Sequence, residues 1–148
     1  MEEEINHLDG QTIEEAEHQL ATRLYQNNAR VHFNNHIEKD GRFGKRIIYG
    51  GYIISLARAI SCNGLANGFK ISAIHSGKHS SPTFSGDTIY AWSKILEKEK
   101  INNSIGTLLI RTLASKNNSE MQFPEKKDLP ENIVLDIEYS ILIPIKQK

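Results

Sequence analysis

The chain has 148 residues with 18 basic and 18 acidic side chains, a length that suits one domain, residues 1–148, with its own core. Zero net charge supplies no basic field, so nucleic acid is not an expected partner. The acidic N-terminus lacks the pattern of a secretory leader and the one cysteine excludes an internal disulfide, so we expect a cytoplasmic location. The short motifs of zinc proteases, P-loops and serine hydrolases are absent.

A first amphipathic helix is predicted over residues 13–25. Thr12 and Glu15 have the spacing of a capping box, which marks a helix start. Apolar residues follow at helical spacing and should form the buried face. That face comprises Ile13, Ala16, Leu20 and Leu24. We expect His18 on the solvated face among charged residues, and His7 at the surface.

A polar connection over residues 27–36 follows this helix, and such connections often carry site residues. His32 is its strongest candidate, because a neutral imidazole can take and give a proton near working pH. Asn27, five residues earlier, has an amide that can orient a water or a carbonyl. The residue types leave a purely structural hydrogen bond of His32 as an open alternative.

A nearly all-apolar helix is predicted within residues 42–63, buried and too short for a membrane span. Gly64 after it suits a left-handed capping position. The helix follows Tyr49, and Gly50 and Gly51 at its start offer free N–H groups at the positive end of its dipole. Such groups can hold a developing oxyanion. A tight turn with a close helix–sheet contact is the alternative role of the two glycines.

The rest of the chain predicts strands over Lys70–Ser76, Thr88–Leu96 and Ile105–Ala114, with a polar turn at 75–82 and an exposed loop at 115–131. The final strand is the most regular, with alternate apolar residues on one face. These are Ile133, Leu135, Ile137, Tyr139, Ile141 and Ile143. Strands in meander order around one helix predict an α+β sheet with open edges, which a second copy could close.

Two histidine pairs, His32 with His36 and His75 with His79, have the i, i+4 spacing that places two imidazoles on one helical face. A zinc site would need helical context and a third ligand. Because both pairs lie in predicted loops, we expect no metal site.

Three blocks in chain order carry a family resemblance: NNARVH at 27–32, FGKRIIYGG at 43–51 and PTFSGDT at 82–88. They resemble the MaoC-like hydratases and dehydratases of the hot-dog fold. The resemblance is closer to one branch, the mesaconyl-CoA (2-methylfumaryl-CoA) hydratases or β-methylmalyl-CoA dehydratases, whose chains contain two hot-dog halves. It matches the C-terminal half, strongly over about 7–97 and weakly through the closing strand.

The resemblance implies an α+β hot-dog fold, an antiparallel sheet wrapped around a long central helix. It implies reversible addition of water to an α,β-unsaturated acyl-CoA, with the CoA thioester as substrate and no other cofactor. Because the preceding half is missing from this sequence, it also implies a homodimer, a higher homo-oligomer or a separate second hot-dog subunit. Neither nucleic acid nor membrane is an expected partner.

The family's site residues map onto this sequence with one departure. In the family an Asp and a His five residues later act on the substrate; His32 matches the His, but Asn27 stands at the Asp position. An amide cannot serve as a general base. The family's glycine at the helix start, which forms the oxyanion hole, corresponds to the Tyr49–Gly51 turn. Arg30, Lys45 or Arg46 beside the motif are candidates to hold a distal carboxylate.

Two other functions remain open. A non-catalytic subunit that binds acyl-CoA, or only scaffolds a partner chain, is favoured by Asn27 in place of Asp. A hot-dog thioesterase would need a carboxylate near the helix start, where only Glu38 and Asp40 are available, so we rank it lowest.

Overall fold

A computed structural model describes residues 3–120, 122–127 and 129–146, and its main feature is a six-stranded antiparallel sheet packed on one long helix. The strands are β1 Glu3–Asn6, β2 Gln11–Thr12, β3 Lys70–His79, β4 Thr88–Lys100, β5 Ile105–Lys116 and β6 Ile133–Pro144. The helices are α1 Glu15–Leu24, α2 Asn35–Glu38, α3 Gly50–Ile60 and α4 Cys62–Leu65, with a 3₁₀ turn at Arg30–His32. None of the helices in these ranges is long and apolar enough to cross a bilayer.

The sheet has the strand order β1-β4-β5-β6-β3, with β2 also paired to β4. The predicted meander is confirmed for β4 to β6 and wrong for β3, which pairs with β6 instead of β4. Strand spacing places β3 and β4 about 14 Å apart. The connection over residues 80–87 can reach roughly 26 Å when extended, so it crosses that gap easily.

Strand β3 continues beyond the predicted end at Ser76 to His79, so the predicted polar turn is wrong for residues 77–79. All ten residues of β3 are exposed, and its partners on β6 run from Leu142 to Leu135. Main-chain pairing tolerates polar side chains on an exposed edge strand, which explains why side-chain polarity was misleading here.

Helix α1 begins at Glu15, and the predicted capping box is wrong. Thr12 lies in β2, where its hydroxyl bonds Thr88 Oγ1 at 2.8 Å, and Glu15 forms an ion pair with Arg46. The buried face of α1 also differs from the prediction, since it carries His18, Ala21 and Thr22. Leu20 and Leu24, expected inside, are 59% and 68% exposed.

Two histidines expected at the surface are fully buried, so those predictions are wrong. His7 Nδ1 contacts the Asn63 carbonyl, and its Nε2 lies 2.8 Å from Ser93 Oγ. His18 Nε2 accepts the Tyr49 N–H at 2.9 Å. These hydrogen bonds offset the cost of burying two polar rings.

The core lies between α3 and strands β4 to β6. Ile53, Leu56 and Ala57 of α3 are buried there, while Ser55 and Ala59 are exposed, so the helix is buried on one side only. The predicted alternation of β6 is confirmed by its buried residues Ile133, Leu135, Ile137, Tyr139 and Ile141. Gly64 has the expected left-handed backbone, with φ of 106°.

Candidate functional site

A pocket of about 400 Å³ opens at the N-terminal end of α3. Three segments meet there: the 3₁₀ turn with His32, the first helical residue Gly50, and the end of β3 with His79. The connection from Ser80 to Thr83 completes the wall. The pocket therefore combines two imidazoles with the positive end of a helix dipole.

His32 is held in one orientation by contacts on three sides. Its Nδ1 lies 3.0 Å from the carbonyl of Ile47, and because a carbonyl only accepts, Nδ1 carries the proton and donates. Its own carbonyl accepts the Gln19 amide at 2.9 Å, and its ring lies 5.7 Å from that of Tyr49. This arrangement leaves Nε2 as the ring nitrogen available for proton transfer.

The two glycines at the start of α3 are required by close contacts. A Cβ on Gly50 would lie 2.6 Å from His79 Nε2, and one on Gly51 would lie 2.5 Å from the Tyr49 ring. Their N–H groups belong to the first helical turn, where N–H groups have no carbonyl acceptor within the helix. The close helix–sheet contact given above as the alternative role is therefore present, between Gly50 and His79 of β3. This contact does not use the N–H groups of the two glycines, so they could also bind an anion.

His18 fixes the residue that precedes those glycines. Its Nε2 accepts the N–H of Tyr49, so that nitrogen carries no proton and the imidazole must be neutral. Burial lowers the pKa of His18 to about 4, which keeps it neutral above that pH. Sequence reasoning missed this contact, because the two residues are far apart in the chain and His18 has charged sequence neighbours.

Of the residues predicted for the site, His32 and Gly50 line the pocket, and Tyr49 and Gly51 flank Gly50 without being lining residues. The other three make contacts elsewhere. Asn27 Oδ1 accepts the N–H of Ala29 at 2.8 Å. Arg30 is 63% exposed and pairs with Glu38 at 3.7 Å. Arg46 pairs with Glu15 and also donates to the carbonyl of Phe33 at 3.1 Å.

An aromatic and cationic group borders the pocket. The ring of Phe43 lies in its wall, 5.6 Å from the ring of Phe84. Lys45 Nζ lies 4.3 Å from the centre of the Phe84 ring, a cation–π contact. Of the three cations considered from the sequence, Lys45 is the one that contacts this aromatic pair.

His79 is a pocket residue that the sequence analysis did not select. It was expected in a polar turn, whereas it is the last residue of β3. The residue as a whole is exposed on the edge strand, but its imidazole packs against Gly50. This partial desolvation lowers the pKa of His79, opposed by a hydrogen bond to the backbone of Val134. Within the described ranges, no group of three or more metal-ligating side chains occurs.

Comparison with solved structures identifies the architecture. Over 98% of its length the chain superimposes on a MaoC domain dehydratase from Chloroflexus aurantiacus J-10-fl, with a TM-score of 0.93 and 55% sequence identity. The chain has the hot-dog fold. The α+β hot-dog prediction and the predicted resemblance to MaoC-like proteins are thereby confirmed.

Two curated proteins are also similar to this hot-dog chain. The β-methylmalyl-CoA dehydratase of Chloroflexus aurantiacus is 57% identical over 148 residues, and the mesaconyl-CoA hydratase of Cereibacter sphaeroides is 47% identical over 146. Each match covers 96% of this chain but only 42% and 41% of the relatives, and the MaoC structure is covered to 43%. The chain thus spans less than half the length of these relatives, and which half it matches stays a prediction. No family model matches the sequence.

Proposed function

We propose that this hot-dog chain is an acyl-CoA hydratase/dehydratase that adds water reversibly to an α,β-unsaturated acyl-CoA such as mesaconyl-CoA. The observation that carries the proposal is a pocket joining the His32 imidazole to the N-terminus of α3, in a chain 57% identical to a β-methylmalyl-CoA dehydratase. The substrate is itself the CoA thioester, so no further cofactor is part of the proposal.

In the proposed reaction the thioester carbonyl accepts hydrogen bonds from the N–H groups of Gly50 and Gly51. Water adds to the β-carbon, and the π electrons move onto the thioester oxygen, where the helix N-terminus stabilises the enolate. His32 moves a proton through Nε2, because its Nδ1 is committed to the Ile47 carbonyl. Tyr49 supports this geometry through its ring contact with His32.

A branched dicarboxylic acyl group has a distal carboxylate that needs a cation. Arg30 and Arg46 already pair with Glu38 and Glu15. We therefore assign this role to Lys45, beside the pocket wall, in preference to the two arginines. Lys45→Ala should then raise the KM for mesaconyl-CoA and leave the KM for the uncharged analogue crotonyl-CoA unchanged; equal effects on both would clear Lys45 of the role.

The free edge of β3 supports a second proposal, about assembly. All ten residues of β3 are exposed, including Ile71 and Ile74. A sheet edge with free main-chain groups is a site for strand pairing, so we propose that β3 meets a second hot-dog unit, as a homodimer, a higher homo-oligomer or a separate subunit. The proposed location is the cytoplasm, whose reducing conditions suit a chain with one cysteine.

The alternative function, an acyl-CoA-binding or scaffolding subunit, is favoured by Asn27, whose oxygen is already bonded to Ala29. Absorbance at the enoyl-thioester band, with mesaconyl-CoA and either wild type or His32→Ala, separates the two functions. Decay of the band with wild type but not with the variant supports the hydratase. A stable band combined with tight binding of the CoA ester in calorimetry supports the binding subunit.

A further inference from the structure

Addition of water to an enoyl thioester needs two proton transfers: one away from the attacking water and one onto the α-carbon. A single imidazole can perform both only by carrying the same proton between two positions. Asn27 cannot share this work, because an amide is not a base and its oxygen is bonded to the Ala29 N–H at 2.8 Å. A second titratable group in the pocket would remove this constraint.

His79 is placed to be that group. A Cβ added to Gly50 would meet its Nε2 at 2.6 Å, its Cε1 at 2.9 Å and its Cδ2 at 3.0 Å, so the imidazole lies against the first turn of α3. This is the turn whose N–H groups face the proposed oxyanion position. A substrate carbonyl bound there would lie in the pocket that both His32 and His79 line.

The surroundings of His79 are otherwise uncharged within the pocket. From β6 it meets the backbone of Val134, from α3 it meets Gly50, and the connection after β3 adds serine, proline and threonine side chains. Lys116 of β5 bonds the Pro82 carbonyl at 2.6 Å and is not a lining residue. Among the described residues that line the pocket, His32 and His79 are the only ones with an imidazole or any other acid–base side chain.

We propose that His79 is a second catalytic residue, the base that takes the proton from the attacking water, while His32 gives a proton to the α-carbon. This inference rests on the proposed hydratase function. The pair begins with neutral His79 and protonated His32. As the water oxygen bonds to the β-carbon, one water proton passes to His79 and the π electrons form the enolate.

The enolate then collapses as its α-carbon takes the Nε2 proton of His32, which restores the thioester carbonyl. Substrate and one water have become the 3-hydroxyacyl thioester, and the pair still holds one extra proton, now on His79. Return of that proton to His32 through solvent completes the cycle. Dehydration follows the same steps in reverse, with His79 as the acid for the leaving hydroxyl.

The test compares His79→Gln with His75→Gln in the full chain. Both histidines lie on β3 and bond toward β6, since His75 Nε2 lies 2.7 Å from Ser140 Oγ, but only His79 lines the pocket. We expect His79→Gln to lower kcat/KM for mesaconyl-CoA about 100-fold, the usual size of a general-base effect. His75→Gln should leave it within about 2-fold, which is small on that scale.

A pH profile distinguishes catalysis from structure. Wild type should show a bell-shaped kcat/KM, and His79→Gln should lose its acidic limb while the Kd for the CoA ester and the Tm stay near wild type. If wild type turns over the ester and His79→Gln has the same rate or the same pH profile, the assignment of His79 is wrong, while the proposed hydratase function is unaffected. Equal losses in both variants assign His79 a structural role and also overturn it. A wild-type chain that binds but never hydrates the ester overturns the proposed function itself.

Discussion

The sheet and the pocket of this molecule are held together in different ways. Strands β4 to β6 meet α3 through a continuous set of buried aliphatic side chains, such as Ile110, Leu135 and Ile141. The pocket wall is instead fixed by single polar contacts, such as His32 to Ile47 and Tyr49 to His18. Damage to the sheet should therefore reduce stability, whereas damage to the pocket should reduce activity first.

The largest expected loss of stability is at the sheet. Leu135 is fully buried on β6, so Leu135→Ala removes apolar contacts and leaves a cavity in the core. We expect the free energy of unfolding to fall by about 3 kcal/mol. Urea unfolding measures this change, and the exposed Leu24→Ala serves as the control, with little effect. A loss below about 1 kcal/mol at Leu135 would contradict a core centred on this strand.

Gly50→Ala tests the pocket, where we expect a loss of activity without a loss of stability. The added methyl would displace the His79 ring, which lies 2.6 Å from the position of the new Cβ. We expect turnover to fall about 100-fold, equivalent to roughly 2.7 kcal/mol of transition-state stabilisation, with little change in Tm. Ala59→Ser on the exposed side of α3 is the matched control. Unfolding of the Gly50 variant would mean that pocket and core are not separable.

His18 lies at the boundary between the two regions, because it is buried but acts on the pocket through the Tyr49 N–H. His18→Leu leaves that N–H without its acceptor and should cost about 2 kcal/mol of unfolding free energy. His18→Gln can return an acceptor oxygen to the same place and should recover part of the loss. Equal destabilisation in both variants would show that ring volume, and not the hydrogen bond, matters at this position.

Stability should depend on pH through two buried imidazoles. Desolvation lowers the pKa of His18 to about 4 and also lowers the pKa of His7, while both return to about 6.5 on unfolding. Below pH 6.5 the unfolded chain therefore binds protons that the folded chain does not. The free energy of unfolding should be greatest above about pH 6.5 and fall toward pH 4. Urea titrations at several pH values in this range should show a weaker pH dependence of the free energy of unfolding for His18→Gln than for wild type. An unchanged pH dependence would exclude His18 as one of its causes.

The same division explains what could be predicted from the sequence. Alternation along β6 and the apolar run of α3 follow from local periodicity, and both elements formed where expected. Gly50 and His32 were found because family blocks and helix-end chemistry mark them. His79 and His18 were missed because the contacts that place them at the site are with residues distant in the chain, Gly50 and Tyr49. The polarity of a single side chain does not indicate which distant residue it will contact in the fold.

The smallest predicted effect is at Thr12, where the predicted helix cap and the observed contact with Thr88 imply different losses of stability. Had Thr12 capped α1, Thr12→Ala would cost about 1 kcal/mol of unfolding free energy. In the structure the hydroxyl of Thr12 instead meets Thr88 at an exposed pairing of β2 with β4. Thr12→Ala should therefore change the free energy of unfolding by less than about 0.5 kcal/mol, as surface substitutions of this kind do.

Helix α1 starts at Glu15 without a side-chain cap. Glu14→Ser is therefore the informative partner variant, because it supplies a cap and should stabilise the chain. A loss of about 1 kcal/mol at Thr12, with no gain at Glu14, would restore the capping box as the true helix start.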